Sequence, residues 1–234
     1  MGALDEILQR HPVWRGGALV QGAPALPSGF AGLDAELPGG GWPCQGLTEV
    51  LSDETGIGEL ALVLPAFARL TSAGKRVIWI SPPHIPYAPA LAAAGVDLAN
   101  LLLVQPPGRR DALWAAEQAL RAGSCHGLAA WPPKMRYAEL QRLAVAAQAS
   151  RAVAFIFRPL AARAESSPAC LRLALEPARA ALAVHLLKRR GSPLAAPLRL
   201  SLERPFHVLG RASLPRPAGD DARPARRVGL PVHA

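Results

Sequence analysis

An α/β fold, with a mostly parallel sheet flanked by helices and antiparallel strands at its C-terminal edge, is what the sequence predicts. Three observations carry it. Short apolar runs rich in Val, Ile and Leu alternate with longer runs of helical period between residues 46 and 157, and such alternation builds parallel strands with helices on both faces. After residue 170 the helical period stops, and apolar runs follow one another across Pro177, Gly191 and Pro193 as strands joined by tight turns do. Half of the 234 residues are apolar, enough for a sizeable core, and with 5% aromatics that core must be largely Ala, Leu and Val.

In chain order, residues 3–11 place Leu4, Ile7 and Leu8 at helical spacing until Pro12 disfavours continuation, and 13–27 reads as an irregular linker. Residues 26–70 have the layout of a nucleotide-binding unit: a Gly-rich turn at 38–41, an apolar strand at 46–51, a polar loop at 52–58 and a helix from Glu59. Leu60, Leu64, Phe67 and Leu70 mark that helix's inner side, Pro65 suggests a kink, and Gly74 ends it. Strands follow at 76–81, 101–105, 127–131 and 152–157, interleaved with helices at 88–94, 110–122 and 137–148. Further strands are expected at 171–176, 181–188 and 198–203. From 205 onward Pro, Gly and Arg dominate and periodicity disappears, which predicts a basic, disordered tail. The chain thus divides into a leading helix and linker at 1–26, a core at 27–204 and a tail at 205–234.

In a working P-loop, backbone N–H groups cradle the phosphates, a Lys neutralises their charge, and a Ser or Thr hydroxyl binds Mg²⁺. The loop here, Ser52, Asp53, Glu54, Thr55, Gly56, Ile57, Gly58 and Glu59, puts Gly58 where the Lys belongs and Glu59 where the hydroxyl belongs. Asp53, Glu54 and Glu59 bring negative charge to a helix N-terminus that would otherwise attract phosphate, and their bland role is to cap that helix. The expectation is a degenerate loop with no bound cofactor.

The order of motifs around this loop resembles the bacterial RecA core. Ser28-Gly29, Leu33-Asp34 and the glycines at 39–41 precede the loop strand as they do there, and Gly95-Val96-Asp97 and Asn100-Leu101-Leu102 lead a later strand. The similarity covers roughly residues 26–190 and departs at each catalytic position. Pro83 stands near the place of the water-activating Glu, Ala130-Trp131 replaces the Walker B Asp, and Phe157-Arg158 replaces the phosphate sensor. With the Lys and hydroxyl also missing, the resemblance implies a RecA-like pseudo-ATPase without catalytic residues or metal site.

A RecA-like chain of this size with a basic tail resembles the ImuA family, which is related to SulA. That resemblance implies a non-catalytic accessory role in SOS-induced translesion DNA synthesis. Its implied partners are RecA, an ImuB-type pseudo-polymerase and, indirectly, an error-prone DNA polymerase. Two other classes stay open: a SulA-like cell-division inhibitor, and an ATPase with an atypical site in which Lys75 or Arg158 replaces the missing Lys.

Net charge is +9, and residues 188–234 hold 10 Lys/Arg against 3 Asp/Glu. Lys188, Arg189, Arg190, Arg211, Arg216, Arg223, Arg226 and Arg227 are therefore candidate contacts to an acidic partner or, weakly, to DNA phosphates; the alternative is a solvated extension. Aromatic interleaving is sparse beyond Phe206, which argues against base stacking. No apolar run is long enough to span a membrane, and Asp5, Glu6 and Arg10 do not suit a signal peptide, so a cytoplasmic protein is expected. Cys44, Cys125 and Cys170 are spaced as free, mostly buried thiols, and the six His show no metal-ligand spacing. Trp42, Trp79, Trp114 and Trp131 are expected in the core.

Overall fold

The computed structural model describes residues 24–202 apart from 133, 180, 192, 193 and 195. The helix expected at 3–11 and the tail at 205–234 lie outside the described residues. An eight-stranded sheet forms the centre of the described chain: β3 (Gly46–Leu51), β4 (Val77–Ile80), β5 (Leu101–Val104), β6 (Gly127–Ala130), β7 (Val153–Arg158), β8 (Leu171–Ala178), β9 (Ala181–Lys188) and β10 (Leu198–Leu200). Its order is β10-β9-β8-β3-β7-β6-β4-β5. The six strands from β8 to β5 run parallel, and β9 and β10 close the other edge by antiparallel pairing.

Alternation along the strands divides the core in two. On β7, Val153, Phe155 and Phe157 face one side, while Ala154 and Ile156 face the other. The first side is covered by α2 (Glu59–Ser72), which inserts Leu62, Val63, Ala66, Phe67 and Leu70. The expected inner stripe is rotated slightly, since Leu60 and Leu64 are only half-buried. The few aromatics form one connected path here. Trp42 meets Phe155 at 5.0 Å, Phe67 bridges Phe155 and Trp79, and Trp131 joins Trp79 to Phe157.

The second side is covered by α4 (Arg109–Arg121) and α5 (Tyr137–Ala149), through Ala112, Ala116, Leu120, Leu140, Leu143 and Ala147. Between them Glu117 is buried and pairs with Arg121 and Arg142. Arg109 likewise pairs with Glu139 in the first turn of α5. Burial alone would raise the Glu139 pKa, but the Arg136 N–H and the Arg109 guanidinium outweigh it and hold the carboxyl below its ordinary range.

The motif residues ahead of these strands act as fasteners. Ser28 N–H donates to Asp34 Oδ1 at 2.8 Å, which folds the short helix α1 (Ala31–Asp34) back on its own entry. Asp97 Oδ1 accepts from Ala99 N–H at 3.0 Å, and Asn100 Nδ2 donates to Asp97 Oδ2 and to the Thr71 carbonyl, tying the approach to β5 onto the end of α2.

Three expectations need correction. The end of the supposed linker is ordered: β1 (Ala25–Leu26) pairs antiparallel with β2 (Trp42–Pro43), and Gly41 permits it because a Cβ there would collide with the Leu26 carbonyl. Trp114 is exposed rather than buried, because the inner face of α4 runs through Ala112, Ala116 and Leu120 and position 114 lies on the opposite side. The last strand stops at Leu200, so residues 201 and 202 do not extend it as expected, and the expected end at 203 lies outside the described residues. Short α3 (Ala88–Ala93) completes the connection from β4 to β5. No described helix is long and apolar enough to cross a membrane.

Candidate functional site

The loop between β3 and α2 lies at the C-terminal end of the parallel strands, where open α/β sheets bind their ligands. Gly56 and Gly58 have φ values of 79° and 116°, the left-handed conformations that turn successive N–H groups inward to form an anion cradle. The cradle is occupied from within. Glu59 Oε1 accepts from Gly56 N–H at 2.8 Å and Oε2 accepts from Gly58 N–H at 3.1 Å. The carboxylate thus takes the donors that a phosphate would need, and Glu59 is itself buried.

The rest of the loop is held equally firmly. Ser52 Oγ accepts from Glu54 N–H and donates to the Glu54 carbonyl at 2.8 Å. Asp53 Oδ1 accepts from Leu160 N–H at 2.9 Å, which fastens the loop to the 3₁₀ turn Leu160–Ala164 that follows β7. Leu202 sits directly over Gly58, so a side chain at position 58 would strike it. Glu54 and Thr55 remain exposed.

Beside the loop the sheet edge is aromatic. Trp131 after β6 stacks on Phe157 of β7, with ring centroids 4.6 Å apart and planes 6° from parallel. At the end of β4, Ser81 has φ 51°, an uncommon left-handed conformation for a residue with a side chain. Neither candidate replacement for the missing Lys reaches the loop. Lys75 follows the far end of the 14-residue α2, about 20 Å along the helix axis from the loop at 1.5 Å per residue. Arg158 is committed to carboxylates elsewhere.

Those carboxylates form a buried network that the sequence reading missed. Glu49, fully buried in β3, accepts from Arg158 Nη1 at 2.7 Å and from Arg172 Nε at 2.6 Å. Arg158 Nη2 reaches Glu165 Oε2 at 2.6 Å, and Arg172 also donates to the carbonyls of Ala162 and Glu165. Burial would lower the Arg158 pKa, but the bonds and charges of Glu49 and Glu165 more than compensate and raise it.

The basic candidates divide. Arg189 is drawn inward, its guanidinium 2.6 Å from Glu36 Oε2 and its side chain largely buried, so it is not the free contact expected. Lys188 is exposed and donates to the Ser167 carbonyl at 2.8 Å; Arg190 is exposed as well. Arg211, Arg216, Arg223, Arg226 and Arg227 lie outside the described residues. Cys125 is buried, whereas Cys44 and Cys170 are half-buried, and all three are free thiols.

No protein-family model matches the chain. The cell division inhibitor SulA of Edwardsiella piscicida is 34% identical over 101 residues, which is 43% of this chain and 60% of that protein. RecA of Acholeplasma laidlawii is 38% identical over 100 residues, 43% of this chain and 30% of that protein, and RecA 1 of Myxococcus xanthus is 34% identical over 112 residues. Among solved structures, SulA from Pseudomonas aeruginosa matches at 27% identity with a TM-score of 0.41, covering 48% of this chain and 97% of that one. The chain is therefore related to SulA and RecA, over less than two thirds of the length of either curated relative.

Proposed function

We propose that this protein is a non-catalytic, RecA-like accessory factor of SOS-induced translesion DNA synthesis that works by binding other proteins. The observation that carries the loss of catalysis is the Glu59 carboxylate seated on the Gly56 and Gly58 N–H groups. A loop whose anion donors are satisfied internally, and which has neither the Lys nor the hydroxyl of the motif, has no means of orienting a triphosphate or of neutralising its charge. Relationship to RecA and SulA supports an SOS setting. The finer reading, an ImuA-like factor that meets RecA and an ImuB-type pseudo-polymerase in the cytoplasm, rests on the sequence resemblance.

Physically, a RecA-type core without an ATP cycle keeps its docking surfaces and loses the device that would release a partner. Sedimentation of the purified chain with RecA and with an ImuB-type protein at moderate salt tests this. Co-sedimentation with either is the expected result, and failure with both would sink the proposal. Exposed Lys188 and Arg190, with the Arg-rich 205–234 segment, support weak electrostatic contact to DNA or an acidic partner. Deleting 205–234 should flatten the salt dependence of DNA binding, and an unchanged slope would leave that segment without such a role.

The SulA identity over 101 residues favours one second reading, inhibition of a septation protein's assembly. Filamentous growth on expression, with no dependence on RecA or ImuB, would select it.

A further inference from the structure

The buried arginine network opens on one side into a cavity of about 470 Å³. Its lining combines apolar Met135 and Leu140, the ring of Tyr137, the Arg136 and Arg158 side chains, and Glu165. The volume lies in the range of sites that hold small molecules or single anchoring side chains. It sits between the β6–α5 connection and the 3₁₀ segment after β7, and no residue of the loop 52–59 lines it.

Charge within the network is balanced. Glu49 and Glu165 offset Arg158 and Arg172, but the two carboxylates are held very differently. Glu49 is fully buried between both guanidinium groups, whereas the Glu165 side chain is 55% exposed and, among the described residues, pairs through Arg158 Nη2 alone. Rotating Glu165 into water costs little desolvation and leaves one uncompensated positive charge at the cavity wall, where Arg158 is 93% buried by its 7% exposure. A buried, pre-oriented guanidinium with a single carboxylate to replace matches another carboxylate in charge and in geometry.

We propose that this cavity is an anchoring site for an acidic protein segment. A partner's Asp or Glu takes the place of Glu165 on Arg158, and an adjoining apolar side chain rests on Met135, Leu140 and the exposed Tyr137 ring. The apolar floor favours a peptide over a nucleic-acid strand, since it offers two hydrocarbon side chains where a backbone phosphate would want more cation. Glu165 is in this view the internal stand-in that keeps the site closed until a partner carboxylate competes for it. The proposal does not rest on the nucleotide question, because tight ATP binding at the loop would end the pseudo-ATPase reading while the residues that line this cavity stay the same.

The test uses the full chain and the dipeptide amide acetyl-Asp-Phe-NH₂, with acetyl-Asn-Phe-NH₂ as neutral control. Met135 is one of two methionines in the chain, so its methyl NMR signal is readily assigned and reports directly on the cavity. The Asp peptide should shift that signal with millimolar affinity, and Glu165→Ala should tighten binding at least fivefold by removing the competitor. Glu165→Gln, which keeps the side chain's size and loses its charge, should act in the same direction if the Ala variant folds poorly. Tyr137→Ala should weaken binding at least threefold with an unchanged melting temperature. Equal binding of the Asn peptide, or unaltered affinity in folded Glu165 variants, would overturn the proposal. So would a Met135 shift produced by inorganic phosphate or a thymidine oligonucleotide at lower concentration than the Asp peptide requires.

Discussion

At the scale of single residues, Glu59 holds two otherwise unpartnered N–H groups in a loop whose glycines adopt left-handed conformations. Bonds to a charged acceptor are worth more than neutral ones, so Glu59→Ala should lower unfolding free energy by about 2 kcal/mol. The urea midpoint should fall at constant slope, which marks a change of stability rather than of unfolded-state compactness. Cys125 offers a second residue-level outcome. Burial pushes its thiol up to about 12 from an ordinary 9.0, against a smaller opposing pull from the Gly127 backbone. The unfolded chain therefore gives up this proton first, so the Cys125 contribution to stability is intact below pH 9 and declines as pH rises from 9 towards 12. A thiol reagent at pH 8 should accordingly label Cys125 only after denaturant is added, while half-buried Cys44 and Cys170, whose thiols burial also pushes up, should react in the native protein more slowly than in the unfolded one.

Among elements, the three central strands β8, β3 and β7 are joined by charge as well as by their ladder. Glu49 lies directly across from Arg172, and Arg158 stands two residues along β7 from Ile156, the residue opposite Glu49, so that all three side chains share one face. Removing one member of a buried, hydrogen-bonded pair leaves an uncompensated charge, so Glu49→Leu should destabilise by about 3–5 kcal/mol. A triple change that also replaces both arginines with Met should recover much of that loss in the same thermal-melt measurement. None of this was legible beforehand, and the reason is specific. The partners are 109 and 123 residues from Glu49, and only the strand order makes them neighbours. The apolar strand expected at 46–51 is present, and every residue in it is buried. Which strands flank it is decided by tertiary packing, to which a local window is blind. The β1–β2 ribbon escaped for a different reason: two residues on each side are too few to show alternation. Glu59 illustrates partial legibility. Its misfit to the P-loop pattern was plain from spacing, whereas its backward reach to Gly56 and Gly58 depended on the positive φ of those glycines.

For the whole molecule, the question is whether a parallel sheet with a loop at the usual ligand edge still responds to nucleotide. Alternating strands and helices were enough to foresee that sheet and its two covered faces, but the state of the loop is a property of several elements together. Glu59 fills the cradle, Leu202 covers Gly58, Asp53 ties the loop to the turn after β7, and the stacked Trp131 and Phe157 rings line the adjoining strand ends. A triphosphate would have to displace a carboxylate from two N–H groups and then sit beside Asp53 and Glu54, with neither Lys75 nor Arg158 reaching it. A ligand present at a hundredfold over its dissociation constant stabilises a protein by about 2.7 kcal/mol, which raises the melting temperature of a domain of this size by roughly 5–10 °C. Millimolar ATP with magnesium should therefore leave the melting temperature within about 1 °C of the unliganded value, a margin several times smaller than that response. A rise of several degrees, abolished by omitting magnesium, would mean that the loop opens and that the chain retains a nucleotide cycle.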